Sequence, residues 1–323
     1  MSVKLERTLE NLLVWQSEYQ TDLSKYGIAK DFALDRGVKV LNQLEIDYGF
    51  KIPVTKPEKI SLDDIYLVHD KSYIDSLDNP ATWLSIFEFS ESEYATDKAE
   101  KPLNLILEDF RIKCGGTKTA FKNALQKGVS ANLGGGYHHA FSDQGRGFCA
   151  INDIAIAIKA LRKENLINSS LVIDLDFHQG DGTARIFQDD KEVFTLSVHS
   201  KEGWPEEKQI SNLDVEISAG EEHTYLEKTE EAILKALGLI TPDLVVFVAG
   251  SDPYEKDILP GTRHLNLTLE QMRQRDELVI DTCSKRGLPL SMVFAGGYGP
   301  HVWEVHYFAV KHMLETFQNS PAF

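Results

Sequence analysis

Asp174, Asp176 and His178 occupy alternating positions in Leu171-Val-Ile-Asp-Leu-Asp-Phe-His178, just before the turn residues Gly180-Asp-Gly182. On a β-strand, side chains at i, i+2 and i+4 share one face, so this spacing predicts two carboxylates and an imidazole side by side at a strand's C-terminal end. Burying such a face is costly unless a cation offsets its charge, and carboxylate oxygens with imidazole nitrogen suit Zn²⁺ or a similar divalent ion. A metal site is the first expectation. Three other segments place polar residues where an apolar run ends: Gly134-Gly-Gly-Tyr-His-His139, Gly250-Ser-Asp252 and Gly296-Gly-Tyr298. Each alone has an ordinary explanation as a glycine turn, a structural histidine pair or a capping aspartate.

The elements that must position these residues follow from hydrophobic pattern. Short apolar runs at Val129–Leu133, Leu171–Phe177, Phe194–His199, Leu244–Ala249 and Leu290–Ala295 alternate with helical spacings. That alternation predicts an α/β fold with a mostly parallel, buried central sheet flanked by helices. Helices are expected around Ile151–Leu161, where apolar residues recur at helical spacing, and around Leu226–Leu237, ahead of Gly238. Another starts at the capping-box pattern Thr268-Leu-Glu-Gln271 and stops before Gly287. The first hundred residues read as more helical, and Asn79–Lys101, rich in Ser, Glu, Asp and Thr, reads as a long loop. In open α/β sheets, ligands bind outside the carboxyl ends of the strands, so the four polar segments are expected to converge there.

Composition bounds the rest. At 323 residues with no visible linker, the chain is expected to form one domain, residues 1–60 being its helical N-terminal part. The N-terminus lacks an apolar signal stretch, and no apolar run approaches the roughly 20 residues of a spanning helix, so a cytoplasmic location without a membrane span is expected. Three cysteines, Cys114, Cys149 and Cys283, fit neither a disulfide framework nor a CxxC metal site. A formal charge of −16 argues against nucleic acid as a partner and suits cationic substrates such as lysine side chains or polyamines, although it also serves solubility. Oligomeric state is not legible.

With these residues in hand, the chain resembles the zinc-dependent histone deacetylase and deacylase superfamily over about residues 60–310. The resemblance is carried by Gly-Tyr-His138-His139-Ala, Gly147-Phe148-Cys149, Asn152-Asp153, Asp174-Leu-Asp-Phe-His178, Ala-Gly-Ser-Asp252-Pro and Ala-Gly-Gly-Tyr298. Gly134–His139, His178-Gln-Gly180 and Trp204-Pro205 are most similar to the class IV branch. The resemblance implies an arginase/deacetylase-like fold and one Zn²⁺ on Asp176, His178 and Asp252, with a position open to water and the substrate carbonyl. It implies His139 as general base and acid and His138 as charge stabiliser, with Asp174 and Asp181 orienting His138 and His139. Tyr298 is then the oxyanion donor, and Gly147, Phe148 and Trp204 line an acyl-lysine channel. A K⁺ is implied at Asp174, Ser197 and the backbone of Asp176, His178 and Val198.

The activity expected on this basis is hydrolysis of acyl-lysine amides in proteins or peptides, with long acyl chains favoured by the class IV likeness. An acetylpolyamine or other small-amide amidohydrolase shares the same catalytic residues. A non-catalytic acyl-lysine binder would lack a ligand or the tyrosine, and this chain lacks neither. A binuclear manganese hydrolase would need further carboxylates near Asp252, where Asp257 is the one close candidate. The residue gripping the substrate backbone is expected in Asn79–Lys101. His69, Tyr73, His199, His223, His264, His301, His306 and His312 are expected to be structural or surface groups.

Overall fold

A computed structural model describes residues 9–28 and 34–318. Seven strands form one all-parallel sheet: β1 (Leu13–Val14), β2 (Val129–Asn132), β3 (Ser170–Asp174), β4 (Val193–Ser200), β5 (Leu213–Ile217), β6 (Leu244–Val248) and β7 (Leu290–Val293). Their order across the sheet is β1-β2-β7-β6-β3-β4-β5. From β3 the chain winds outward through β4 and β5, then returns to place β6 on the other side of β3. The β3/β6 boundary is thus the switch point where connections leave in opposite directions and a crevice opens.

Both faces of the sheet are covered, and strand alternation shows how. Leu171 and Ile173 of β3, with Val245 and Phe247 of β6, enter one core with α1 (Arg36–Tyr48), α8 (Tyr225–Leu239), α9 (Leu269–Arg286) and α10 (Trp303–Gln318). Val172, Val246 and Val248 enter the other core, with α5 (Ile106–Lys127) and α6 (Asp153–Lys163). This near-continuous apolar character is what a buried parallel strand requires. The remaining short helices are α2 (Leu62–Ile65), α3 (Lys71–Ser76), α4 (Pro80–Ile86) and α7 (Asp181–Phe187).

The five expected strands and three expected helices are present. The capping box of α9 is reciprocal, with Thr268 N donating to Gln271 Oε1 at 2.9 Å and Gln271 N to Thr268 Oγ1 at 3.3 Å; Gly287 closes the helix at φ +64°. Strand β3 is shorter than expected, because its ladder stops at Asp174 and the chain turns away carrying Asp176 and His178. Two strands escaped notice. β1 is too short to show a period, and β5, Leu-Asp-Val-Glu-Ile, is a half-exposed edge strand whose carboxylates discourage further pairing.

Asn79–Lys101 is not a structureless loop. Asn79 Oδ1 accepts from Ala81 N at 3.0 Å to cap α4, and Glu91–Glu93 and Thr96–Lys98 form single 3₁₀ turns. Trp83, Ile86 and Phe87 are buried in the second core, and the Trp83 Nε1–H donates to Leu77 O at 2.8 Å. These three large apolar side chains outweigh the polar composition. No helix among the described residues is long and apolar enough to cross a membrane.

Candidate active site

Segments following β2, β3, β6 and β7 meet at the switch point. After β3 the chain places Asp176 and His178; after β6 it places Asp252. One ligand atom from each of these three buried residues lies within 4.8 Å of the others, a spacing at which a single cation can join all three. His178 Nδ1 lies 3.0 Å from Asp252 Oδ2 and 3.2 Å from Asp176 Oδ1. Backbone amides fix the outer oxygens: Phe177 N donates to Asp252 Oδ1 at 3.0 Å, and Gly296 N to Asp176 Oδ2 at 2.8 Å. Gly296 also keeps the cradle open, since a Cβ there would come within 2.4 Å of Asp252 Oδ2 and 2.6 Å of Asp176 Oδ2. The donor set, two buried carboxylates and a buried imidazole, is one that would suit Zn²⁺.

Two imidazoles face this cluster. His138 Nδ1 is 2.7 Å from Asp174 Oδ2, and His139 Nδ1 is 2.6 Å from Asp181 Oδ1. Both Nε2 atoms are left for the site, that of His138 lying 3.7 Å from Asp176 Oδ1. The ring centroids are 4.0 Å apart, so both rings cannot easily carry charge together. Burial opposes charging His138, but Asp174 and Asp176 overcome it and lift the ring to about 10. Burial and the neighbouring His138 push His139 down to about 4, despite Asp181. A neutral His139 beside a charged His138 is the pattern that separates a base from an electrostatic partner.

Asp153 holds the loop that carries the pair. Its carboxylate accepts from Gly136 N at 2.9 Å and Tyr137 N at 2.7 Å, and from the Thr117 hydroxyl. On the other wall, Arg36 donates to Gly296 O and Ala295 O, each at 2.8 Å, bracing the turn that bears Tyr298. Asp257 accepts from Tyr298 N at 2.6 Å, Leu259 N at 2.8 Å and Thr262 Oγ1 at 3.0 Å. Burial and Asp252 raise Asp257 to about 7. With its oxygens turned to these donors, Asp257 is not a further metal ligand, and the binuclear expectation loses its one candidate.

Gly147 and Phe148 have left-handed backbone, at φ +52° and +64°. Glycine is required at the first, where a Cβ would lie 2.8 Å from both the His139 and Trp204 rings. Phe148 N donates to Ile86 O at 3.0 Å, and its ring stands edge-on to Tyr298 with centroids 5.9 Å apart. Trp204 stands edge-on to His139 at 4.7 Å, with the Arg146 guanidinium 4.6 Å from its ring. A cavity of about 140 Å³ takes in the site, lined by His138, His139, Asp176, His178, Gly147, Phe148 and Tyr298, and extends to apolar and polar residues of α5 and the N-terminal segment, among them Phe110, Lys113 and Thr21. Of Asn79–Lys101, Phe87 reaches this lining among the described residues.

Asp174 is opposite Ser197 in the β3/β4 register, with Val198 buried beside it, and Ser197 Oγ lies 3.0 Å from His199 Nδ1. His69 Nε2 accepts from Asn152 N at 2.9 Å and the Tyr73 hydroxyl donates to Ala150 O at 2.6 Å, so both are structural, as expected. His306 is a core residue stacked on Phe294 at 4.0 Å.

Residues 32–314 match the family model of the histone deacetylase domain. The chain belongs to the histone deacetylase family. It is 32% identical to Histone deacetylase 2 of Arabidopsis thaliana over 294 residues, 88% of this chain and 74% of that protein. An uncharacterized protein of Picosynechococcus sp. is 37% identical over 225 residues, 68% of this chain and 73% of its own. The acetoin utilization protein AcuC of Bacillus subtilis is 28% identical, covering 78% of this chain and 68% of that one. Among solved structures, the HD domain of HDA15 superposes with TM-score 0.71 at 18% identity, over 95% of this chain and 90% of that one. Acetylpolyamine aminohydrolase from Burkholderia pseudomallei superposes with TM-score 0.69 at 20% identity, over 95% and 98%. These two show the same fold. Membership identifies a hydrolase acting on amides.

Within this family member, Arg36 and Lys113 escaped the reading of the sequence. Asp153 stood out as a helix start rather than as the anchor of the histidine loop, and nothing local marks Arg36 or Lys113.

Proposed function

We propose that this histone deacetylase family protein is a zinc-dependent hydrolase of acyl-lysine amides. The observation that carries this reading is the convergence of Asp176, His178 and Asp252 with two His–Asp pairs and Tyr298 on one cavity. When bound, Zn²⁺ supplies Lewis acidity to the carbonyl and a water acidic enough to ionise near neutrality. His139, neutral and oriented by Asp181, takes the water proton and returns it to the leaving amine. His138, held by Asp174, keeps positive charge beside the reacting centre. Tyr298, kept protonated by burial, donates its hydroxyl to the developing oxyanion, an interaction that strengthens in the transition state. Gly147, Phe148 and Trp204 form the approach for the lysine stem. K⁺ is assigned to Asp174, Ser197 and the backbone of Asp176, His178 and Val198, supported by their burial and the β3/β4 register.

We treat residues 1–323 as one catalytic domain of class IV type working in the cytoplasm, a location consistent with three buried free cysteines. A preference for acyl groups longer than acetyl is supported by Leu23, Phe87, Ile106 and Phe110, which line the same cavity as the catalytic groups. The test is a panel of acetyl-, octanoyl- and myristoyl-lysine peptides with N-acetylputrescine. Highest kcat/KM on acetyl-lysine removes the long-chain preference, and highest on the polyamine replaces the protein substrate. Asp252→Ala is expected to lose the bound metal and all metal-dependent turnover; wild-type activity in that variant would overturn the ligand assignment.

A further inference from the structure

The cavity of the site contains a charge that the hydrolysis does not use. Lys113, on α5, is 7% exposed and lines the cavity together with Thr21, itself 8% exposed. Its ammonium donates to Thr21 Oγ1 at 3.0 Å and lies 5.9 Å from the centre of the Phe110 ring. An ammonium has three donors, and Thr21 is the one acceptor this group meets among the described residues. Asp109, whose charge acts on Lys113, accepts from the Tyr26 hydroxyl at 3.1 Å. The other cation at the cavity, Arg36, is engaged with two backbone carbonyls. Around Lys113 the lining is otherwise mostly apolar: Leu23, Phe87, Ile106 and Phe110.

A lysine in such surroundings is expensive to keep charged. Burial lowers it to about 8, against the pull of Asp109, so it still carries its proton at neutral pH. An acyl chain of pure hydrocarbon would leave that ammonium facing methylene groups. A chain that ends in a carboxylate would supply two acceptors and a compensating charge.

Resting on the hydrolase reading above, we propose that the cavity is a subsite for acyl groups bearing a terminal carboxylate, with Lys113 and Thr21 receiving the carboxylate and the reacting carbonyl at Asp176, His178 and Asp252. The substrate class is then lysine acylated by a dicarboxylic acid of succinyl or glutaryl type, an acyl group longer than acetyl that is set apart from a neutral group of equal length by its terminal carboxylate.

The test compares kcat/KM of the metal-loaded enzyme on glutaryl-lysine peptide and on its neutral isostere, in which an isopropyl group replaces the carboxylate. Wild type is expected to prefer glutaryl, and Lys113→Met to reverse the preference by about tenfold or more, mostly through loss on glutaryl. Lys113→Arg keeps the charge and is expected to retain part of the preference. If wild type favours the isostere by tenfold or more, the proposal fails without reference to any variant. An unchanged ratio in a folded Lys113→Met also overturns it, even if inhibition by free acetate weakens, because the lysine then serves only the departing product. Hydrolysis of neutral acyl-lysines without glutaryl turnover sinks this inference alone. No metal-dependent turnover of any acyl-lysine, acetyl included, sinks the parent reading.

Discussion

At the scale of single residues, the site works by separating the protonation of groups that are chemically alike. His138 and His139 differ because one faces two carboxylates and the other faces a charged ring. Tyr298→Phe removes the proposed oxyanion donor, so kcat is expected to fall by roughly 10²–10³ with little change in KM; steady-state kinetics on a common peptide checks this. His178 is raised to about 9 by Asp176 and Asp252 against the opposing effect of burial, yet a metal ligand must be unprotonated. Below that value the ion must displace a proton. Metal affinity is therefore expected to rise by about tenfold per pH unit through the neutral range, with about one proton released on binding, measurable by calorimetry in buffers of different ionisation enthalpy. Lys113 gives a second pH signature. Its folded value of about 8 lies below the unfolded ~10.4, so between the two the unfolded chain holds the extra proton and stability rises with pH. The expected gain from about pH 8 to about 10 is about 2 kcal/mol, read by urea unfolding, and Lys113→Met should abolish it.

At the scale of elements, braces distant in sequence hold short loops in place. Arg275 of α9 is fully buried and donates from Nη1 to Leu175 O at 2.9 Å and Gly250 O at 2.8 Å, the carbonyls that immediately precede Asp176 and Ser251. It also pairs with buried Asp276 at 2.6 Å. Arg275→Met leaves two orphaned carbonyls and an unpaired carboxylate, so a loss of about 3–5 kcal/mol is expected in denaturant unfolding, together with weaker metal binding. Asp153 plays the same part for the His138–His139 loop, from the first turn of α6. These braces explain why polar groups sit in the sheet's buried periphery at all.

At the scale of the whole molecule, the winding of the chain makes the site. Asp176 and Asp252 are neighbours because β3 and β6 pair in register, Asp174 opposite Val248, although the two strands are far apart in sequence. The parallel sheet sends every strand's C-terminal end to one edge, and the reversal at β3/β6 opens the crevice there. One consequence concerns the acidic chain as a whole. A net charge of −16 is expected to speed capture of cationic peptides, so kcat/KM on lysine-rich substrates should fall as salt rises while kcat stays nearly constant.

Local chemistry made much of this readable before any fold was known. The i, i+2, i+4 spacing of Asp174, Asp176 and His178, the glycine-flanked His138–His139 and Tyr298, and the capping box at Thr268 are short-range signals, each carried by neighbouring residues. The two-residue edge strand at Leu13, the packing of Trp83 that turns a polar segment into a helix, and the placement of Asp257 on Tyr298 N depend on partners tens to hundreds of residues away. Spacing alone made Asp174 a third metal ligand. The resemblance assigned it to His138, and the structure shows why: the ladder ends at Asp174, whose oxygens face His138 and the Asp176 amide, while the chain turns and Asp252 completes the cluster. Residue types and short spacings determined which chemistry this chain carries. Only the tertiary structure decided which groups form the cluster that could hold a metal and what shares its cavity, because a buried lysine in a cavity is defined by the surfaces that close around it.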